Sequence, residues 1–119
     1  MRRIIQVTIW LWAAVSMSAL ADSQEQEKMV KINDSIFIAT TTGNVYVVTT
    51  PAGSVIIDTA SAEQAPQAKK LLAGEVQGSV KYIVLTHGHA DHIGGIPLWK
   101  EAGTKIIAQR SYEIGRAHV

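Results

Sequence analysis

The order of the apolar runs constrains the fold of this chain more than any other feature. Short runs rich in β-branched residues occupy positions 36–38, 45–48 and 55–57, and turn-forming residues separate them. Such runs predict strands joined by tight turns. A helix, a strand, a short helix and a last strand are predicted next, in the order ββ(β)αβαβ. This alternation favours an α/β or α+β layered domain with a mixed sheet over a helical bundle or a sandwich.

The predicted helix in the middle of the chain has start and stop signals. Ser61 and Gln64 form a capping pattern, Pro66 leaves the start open, and Gly74 ends the element. The apolar residues at helical spacing are Ala65, Ala68, Leu71 and Leu72. The pattern predicts one helix between the third and fourth strands.

Three more elements are predicted after this helix. Residues 82–85 form an uninterrupted apolar run, as expected for a strand covered on both faces. Residues 96–102 predict a short helix that Gly103 ends, and residues 105–108 predict a last strand. Within the short helix, the spacing of Trp99 favours a place in the core over a role as a substrate platform.

Three of the four histidines fall within six consecutive residues, directly after the run 82–85. In an extended loop, His87 and His89 project to one side, where two imidazole nitrogens share one Zn²⁺ at about 2.0–2.1 Å. Adjacent residues of an extended segment point apart, so Asp91 and His92 favour a second metal position unless the loop curls. The loop is therefore predicted to hold metal. The alternative is a solvent-facing loop that binds nothing.

The neighbours of this cluster support a metal-binding loop. We expect Gly88 to let the backbone approach an ion closely, and Gly94 and Gly95 to adopt dihedral angles that a side chain would exclude. Thr86 is expected to fix the loop by hydrogen bonding. Two metals about 3.5–4 Å apart lower the pKa of a bridging water and polarise a carbonyl or phosphoryl oxygen, which makes hydrolysis the expected reaction.

Asp58 directly follows the predicted strand at 55–57. One interpretation makes it a cap or turn residue. The other makes it a carboxylate that holds a ligand histidine without itself binding the metal. The sequence leaves both interpretations open.

The amino terminus has the layout of a secretory signal. Arg2 and Arg3 precede an apolar stretch at 4–15, and Ala19 and Ala21 fit a cleavage site, so we predict a signal peptide over 1–21. The expected location is periplasmic or secreted, with no membrane span after cleavage; an uncleaved anchor is the alternative. Residues 22–31 are polar and predict a solvated leader.

The composition limits the partners of the chain. It has 11 basic and 10 acidic residues, and two of the basic residues lie in the export segment, so no basic patch indicates nucleic acid. It has no cysteine, so disulfides cannot stabilise it, whereas a bound metal can.

The run His87, Gly88, His89, Ala90, Asp91, His92, followed by two glycines and preceded by a strand that ends in Thr86, strongly resembles the metallo-β-lactamase superfamily. The upstream strands and helix also look like the N-terminal half of that family's αββα sandwich. The resemblance covers residues 32–110 approximately, and we assign 32–113 to a partial domain of this type.

The resemblance implies the roles of the loop residues. His87 and His89 match ligands of the family's first zinc site, and Asp91 and His92 match ligands of the second. Asp91 would also orient the attacking hydroxide. The family supplies a further histidine, a bridging aspartate and a last histidine from far downstream, and none of these is present here. Two zinc ions are thus implied for the full-length enzyme, with iron or manganese as alternatives.

Residues 114–119 predict a non-native tail. The hexapeptide can be back-translated as ATC GGA AGA GCA CAC GTC, which resembles a common sequencing adapter. His118 lies too close to His92 for the family's next ligand, so we exclude it from the site.

The leading functional hypothesis is an exported zinc-dependent hydrolase that acts on a small molecule. A metal-activated hydroxide would attack a lactam, lactone, thioester, sulfate or phosphate ester. A true β-lactamase of the third subclass is one alternative. An inactive fragment or non-catalytic metal-binding module is a second, since the printed chain by itself is expected to be inactive. Iron-dependent oxygen chemistry is a third. The oligomeric state has no signature in the sequence.

Overall fold

A computed structural model describes residues 26–112 of the chain. The predicted export segment 1–21 and the predicted tail 114–119 lie outside the described residues. Within residues 26–112, no helix is long and apolar enough to cross a membrane. The elements, in chain order, are β1 (Lys28–Asn33), β2 (Ile36–Thr40), β3 (Val45–Thr50), β4 (Gly53–Ile57), α1 (Ala65–Leu72), β5 (Val80–Val84), α2 (Ala90–Ile93), α3 (Ile96–Trp99) and β6 (Lys105–Ile107).

The strands form one mixed sheet in which each strand neighbours the next along the chain. Strands β1 to β4 are paired antiparallel, as expected for short strands joined by tight turns. The pairs β4–β5 and β5–β6 are parallel. Parallel neighbours need a crossover connection, and α1 and the α2–α3 pair lie in the two crossovers. The predicted α/β layered domain with a mixed sheet is confirmed.

β1 is the main departure from the expected organisation. The sequence predicts a solvated leader up to residue 31, but from Lys28 onward the backbone pairs with β2, with Lys28 opposite Thr40 and Val30 opposite Ile38. The β1 side chains are mostly exposed. The polar composition of this segment correctly predicts that its side chains face solvent. It does not predict the pairing with β2, because an edge strand joins the sheet through main-chain hydrogen bonds, which do not depend on side-chain polarity.

The helices follow the sequence signals with small shifts. α1 begins at Ala65, and the Gln64 N–H donates to Ser61 Oγ (3.1 Å) in the turn that precedes the helix. α3 ends at Trp99, earlier than predicted, because Lys100 is extended with ψ 128°. Gly103, with φ +84°, lies instead in the turn before β6. Helix α2 is not predicted from the sequence at all.

One face of the sheet carries the core. Aligned strand positions place Val47, Ile56 and Ile83 in one row, and α1 and α3 cover that row with Leu72 and Trp99. All five side chains are buried. The prediction that Trp99 belongs to the core is confirmed. Its burial also removes it from contact with a substrate.

The opposite face of the sheet is also apolar. The row that pairs Ile38, Tyr46, Ile57, Val84 and Ile107 across the strands lies on this face. The first four of these side chains are half-buried, and Ile107 is exposed. No helix or strand among residues 26–112 covers them. This is the arrangement expected for one layer of a two-sheet sandwich.

Replacing Ile83 by Ala should lower the free energy of unfolding by about 2–5 kcal/mol, because the substitution leaves a cavity in the covered face. Ile32→Ala is the matched control, since Ile32 is 55% exposed on β1, and its effect should stay within about 0.5 kcal/mol. Urea unfolding of both variants measures the difference. Equal losses would contradict the assignment of the core face.

Candidate metal centre

The parallel pairing of β4 and β5 brings two loops together at one edge of the sheet. Ile57, the last residue of β4, lies opposite Val84, the last residue of β5. The Asp58 N–H donates to the Val84 carbonyl (2.8 Å) and extends the pairing by one step. The histidine loop begins three residues after Val84. Asp58 therefore lies beside the histidine loop, at the strand edge where ligands bind in α/β sheets.

The Asp58 carboxylate is buried and fully engaged. Its side chain is 5% exposed. Oδ1 accepts from the Thr86 N–H (2.8 Å), and Oδ2 accepts from Thr86 Oγ1 (2.6 Å) and lies 2.8 Å from His92 Nδ1. The backbone has φ +59°, a left-handed conformation that aspartate adopts more readily than most residues. If Asp58 holds a ligand histidine, it must contact that histidine, and the contact with His92 meets this requirement. If Asp58 were only a turn residue, this contact would not be needed.

The structure brings all four predicted ligands together. The ring centroid of His87 lies 4.8 Å from that of His89 and 4.0 Å from that of His92. Ligand atoms of His87, His89 and Asp91 lie within 4.8 Å of one another, and those of Asp58, His87 and His92 form a second such group. The residue types are those that bind zinc.

The loop does not remain extended along its whole length. His89 is extended (φ −71°, ψ 146°), and α2 begins at the next residue, Ala90. The His92 and Ile93 N–H groups both donate to the His89 carbonyl. The chain therefore curls, and Asp91 joins His87 and His89 instead of pointing away from them. An extended loop would separate the pair His87 and His89 from the pair Asp91 and His92. The curled loop does not separate them.

The surroundings of His92 indicate a site for a cation. Its Nδ1 faces Asp58 Oδ2 at 2.8 Å, and its Nε2 faces Asp91 Oδ2 at 3.3 Å. A neutral imidazole carries one proton, and an ionised carboxylate only accepts. When Nδ1–H donates to Asp58, two lone pairs face each other between His92 and Asp91. A positive charge at this position removes the repulsion, so the donor set fits a divalent metal.

Thr59 holds the C-terminal end of α2 through the His92 carbonyl. The Thr59 N–H and hydroxyl both donate to the His92 carbonyl (2.8 Å each), and the hydroxyl accepts from the Gly95 N–H (3.1 Å). Thr59 is completely buried. The sequence around Thr59 does not predict these hydrogen bonds, because the residues that form them with Thr59 lie more than thirty positions away.

The prediction that Gly94 and Gly95 adopt dihedral angles that a side chain would exclude is wrong. Their φ values are −63° and −88°, which any residue can adopt. Glycine is required at these positions because there is no room for a side chain. A Cβ on Gly95 would lie 2.1 Å from the Thr59 carbonyl oxygen, and one on Gly94 would lie 2.5 Å from the Ala62 nitrogen. The double glycine lets the loop pack closely against the segment after β4.

A similar contact joins the β2–β3 turn to the site. A Cβ on Gly43 would lie 2.1 Å from the Asp91 carbonyl oxygen. The turn itself is fixed by hydrogen bonds from the Thr41 N–H to Asn44 Oδ1 (3.1 Å) and from Thr41 Oγ1 to the Gly43 carbonyl (3.0 Å). In the sequence, Gly43 is one of the turn-forming residues between the runs 36–38 and 45–48, which predicts only a turn. Its second role is to leave room for the backbone of α2.

The chain has recognisable relatives. A metal-dependent hydrolase from Anaeromyxobacter dehalogenans is 40% identical over 77 residues, which cover 62% of this chain and 26% of that protein. The subclass B3 metallo-β-lactamase BJP-1 of Bradyrhizobium japonicum shares 28% identity with a TM-score of 0.65, over 73% of this chain and 34% of that structure. A Cronobacter sakazakii metallo-β-lactamase mutated in its HARLDQ motif shares 27% identity with a TM-score of 0.64, over 76% of this chain and 38% of that structure.

The chain therefore spans about a quarter of the curated relative and about a third of the solved structures. The family model for the metallo-β-lactamase superfamily matches residues 39–113, a range that includes Asp58 and the whole histidine loop. By sequence, by fold and by the residues gathered at the strand edge, the chain belongs to the metallo-β-lactamase superfamily.

Proposed function

We propose that this chain is the metal-binding part of an exported zinc-dependent hydrolase that cleaves a lactam, lactone, thioester or other ester bond in a small molecule. One observation carries the proposal: three imidazoles and a carboxylate converge at the edge where β4 and β5 end. The names of the relatives support hydrolysis as the reaction class. Export is proposed from the sequence of residues 1–21 alone.

The loop residues divide the work of the site. His87, His89, Asp91 and His92 would hold zinc. Bound zinc lowers the pKa of water toward neutrality and polarises the bond to be cleaved. Asp91 is the residue suited to orient the attacking water, because it is the only carboxylate among the four proposed ligands and its side chain is 37% exposed. Asp58 remains behind the histidines and holds them in place.

A true β-lactamase is the second candidate, and the solved structures favour it. Four structures that match at 27–28% identity are described as metallo-β-lactamases, and three of them are of subclass B3. Nitrocefin turnover by the full-length protein, abolished by a chelator and restored by zinc, would establish this activity. Zinc-loaded protein that leaves the lactam of nitrocefin intact but hydrolyses esters would exclude a β-lactamase and keep the proposed ester hydrolase.

Asp91→Asn in the full-length protein should lower the hydrolytic rate at least tenfold, because the amide is a poorer metal ligand and does not accept a proton from water. Asp34→Asn is the matched control, since Asp34 is 97% exposed in the β1–β2 turn and far from the loop. Its rate and zinc content should equal those of the unmodified protein. A fully active Asp91→Asn variant would exclude the proposed role.

Gly43→Ala should weaken zinc binding, because the added methyl group would displace the α2 backbone at Asp91. Gly74→Ala is the control, since a Cβ there meets nothing within 4 Å. We expect the zinc affinity of Gly43→Ala to fall about tenfold or more, in the range seen when the support of a metal ligand is disturbed. Competition with a chromogenic chelator measures both affinities. Equal values for the two variants would show that the turn does not support the site.

A further inference from the structure

We propose that the Thr86 hydroxyl fixes the tautomer of His87 by relaying the hydrogen bond of Asp58 to it, which leaves His87 Nε2 as the metal-binding atom. Thr86 is thus a positioning residue that acts through His87. The consequence for metal binding rests on the proposed function. The tautomer itself exists without metal and can be measured separately.

The Thr86 hydroxyl has a single proton to donate. Thr86 Oγ1 lies 2.6 Å from Asp58 Oδ2 and 2.9 Å from His87 Nδ1. An ionised carboxylate has no proton to donate, so the hydroxyl must donate to Asp58. The hydroxyl can then only accept from His87. Nδ1 of His87 therefore carries the ring proton.

His92 reaches the same carboxylate oxygen directly. His92 Nδ1 lies 2.8 Å from Asp58 Oδ2, so it also carries its ring proton on Nδ1. One buried carboxylate thereby sets the tautomers of two histidines, one directly and one through Thr86. In both rings Nε2 keeps the lone pair that a metal requires.

The hydrogen bonds separate the supporting atoms from the coordinating atoms. In the group formed by Asp58, His87 and His92, the Nδ1 atoms and the carboxylate are already joined through hydrogen bonds and through Thr86, so these atoms support the site. The Nε2 atoms of His87 and His92 are left to coordinate the ion together with His89 and Asp91. No comparable contact to a His89 ring nitrogen is described within residues 26–112, so its tautomer is left to the metal.

The test reads the tautomers by ¹⁵N NMR of the metal-free full-length protein at about pH 8, where histidine is ordinarily neutral. We expect His87 and His92 both to carry the proton on Nδ1. Thr86→Val should shift His87 toward the Nε2–H tautomer and leave His92 unchanged, because only His87 depends on the hydroxyl. Thr86→Ser should keep the original state. His87 with its proton on Nε2 in the unmodified protein overturns the proposal, even if no variant folds.

Zinc affinity supplies the second readout. Thr86→Val should bind zinc about 10- to 100-fold more weakly, and Thr86→Ser should be close to the unmodified protein. Thr104→Val is the control, because the Thr104 hydroxyl also donates one hydrogen bond, to the Val80 carbonyl at the other end of β5. Equal weakening by Thr86→Val and Thr104→Val overturns the proposal, as does a His87 tautomer that Thr86→Val leaves unchanged. A tautomer shift without zinc-dependent hydrolysis would keep the inference and reject the proposed function.

Discussion

The hydrogen bonds of the Asp58 carboxylate join the fold of this protein to its chemistry. A buried carboxylate is costly unless donors satisfy it, and here the donors come from the backbone and side chain of Thr86 and from His92. These donors exist only if β4 and β5 are parallel and in register, because that pairing sets Asp58 beside the start of the histidine loop. The loop conformation, and with it the convergence of the histidines, therefore depends on a residue outside the loop.

Much of this could be predicted from the sequence, because the signals are local. The β-branched runs predicted strands β2 to β4, the apolar run 82–85 predicted β5, and helical spacing predicted α1. The density of histidines identified the loop that the family match contains. The missed features are non-local. β1 is a strand because β2 offers it a partner, α2 forms where Thr59 holds the His92 carbonyl, and Gly95 is needed because the Thr59 carbonyl oxygen lies against it. A single sequence does not show which distant residues meet.

The two faces of the sheet have different consequences for the protein. The face under α1 and α3 is closed by Leu72 and Trp99 and forms the core. The other face presents half-buried apolar residues such as Tyr46 and Ile57 that nothing among residues 26–112 covers. Contiguous apolar surface of this kind is usually covered by further structure. Since the chain spans only part of the matched relatives, we expect the remainder of a full-length domain to supply that cover.

Metal binding and substrate selection would depend on different parts of a full-length domain. The predicted ligands His87, His89, Asp91 and His92 lie within one loop and one short helix, and their supports Asp58, Thr59 and Thr86 lie on adjoining segments. The described residues therefore include the four candidate ligands together with the groups that support them. By contrast, the metal ligands that the family places downstream, and the walls of a pocket, would have to come from other segments. Substitutions of these candidate ligands and their supports should thus act mainly through metal affinity, whereas the choice among lactam, lactone and thioester would be made by residues outside this range.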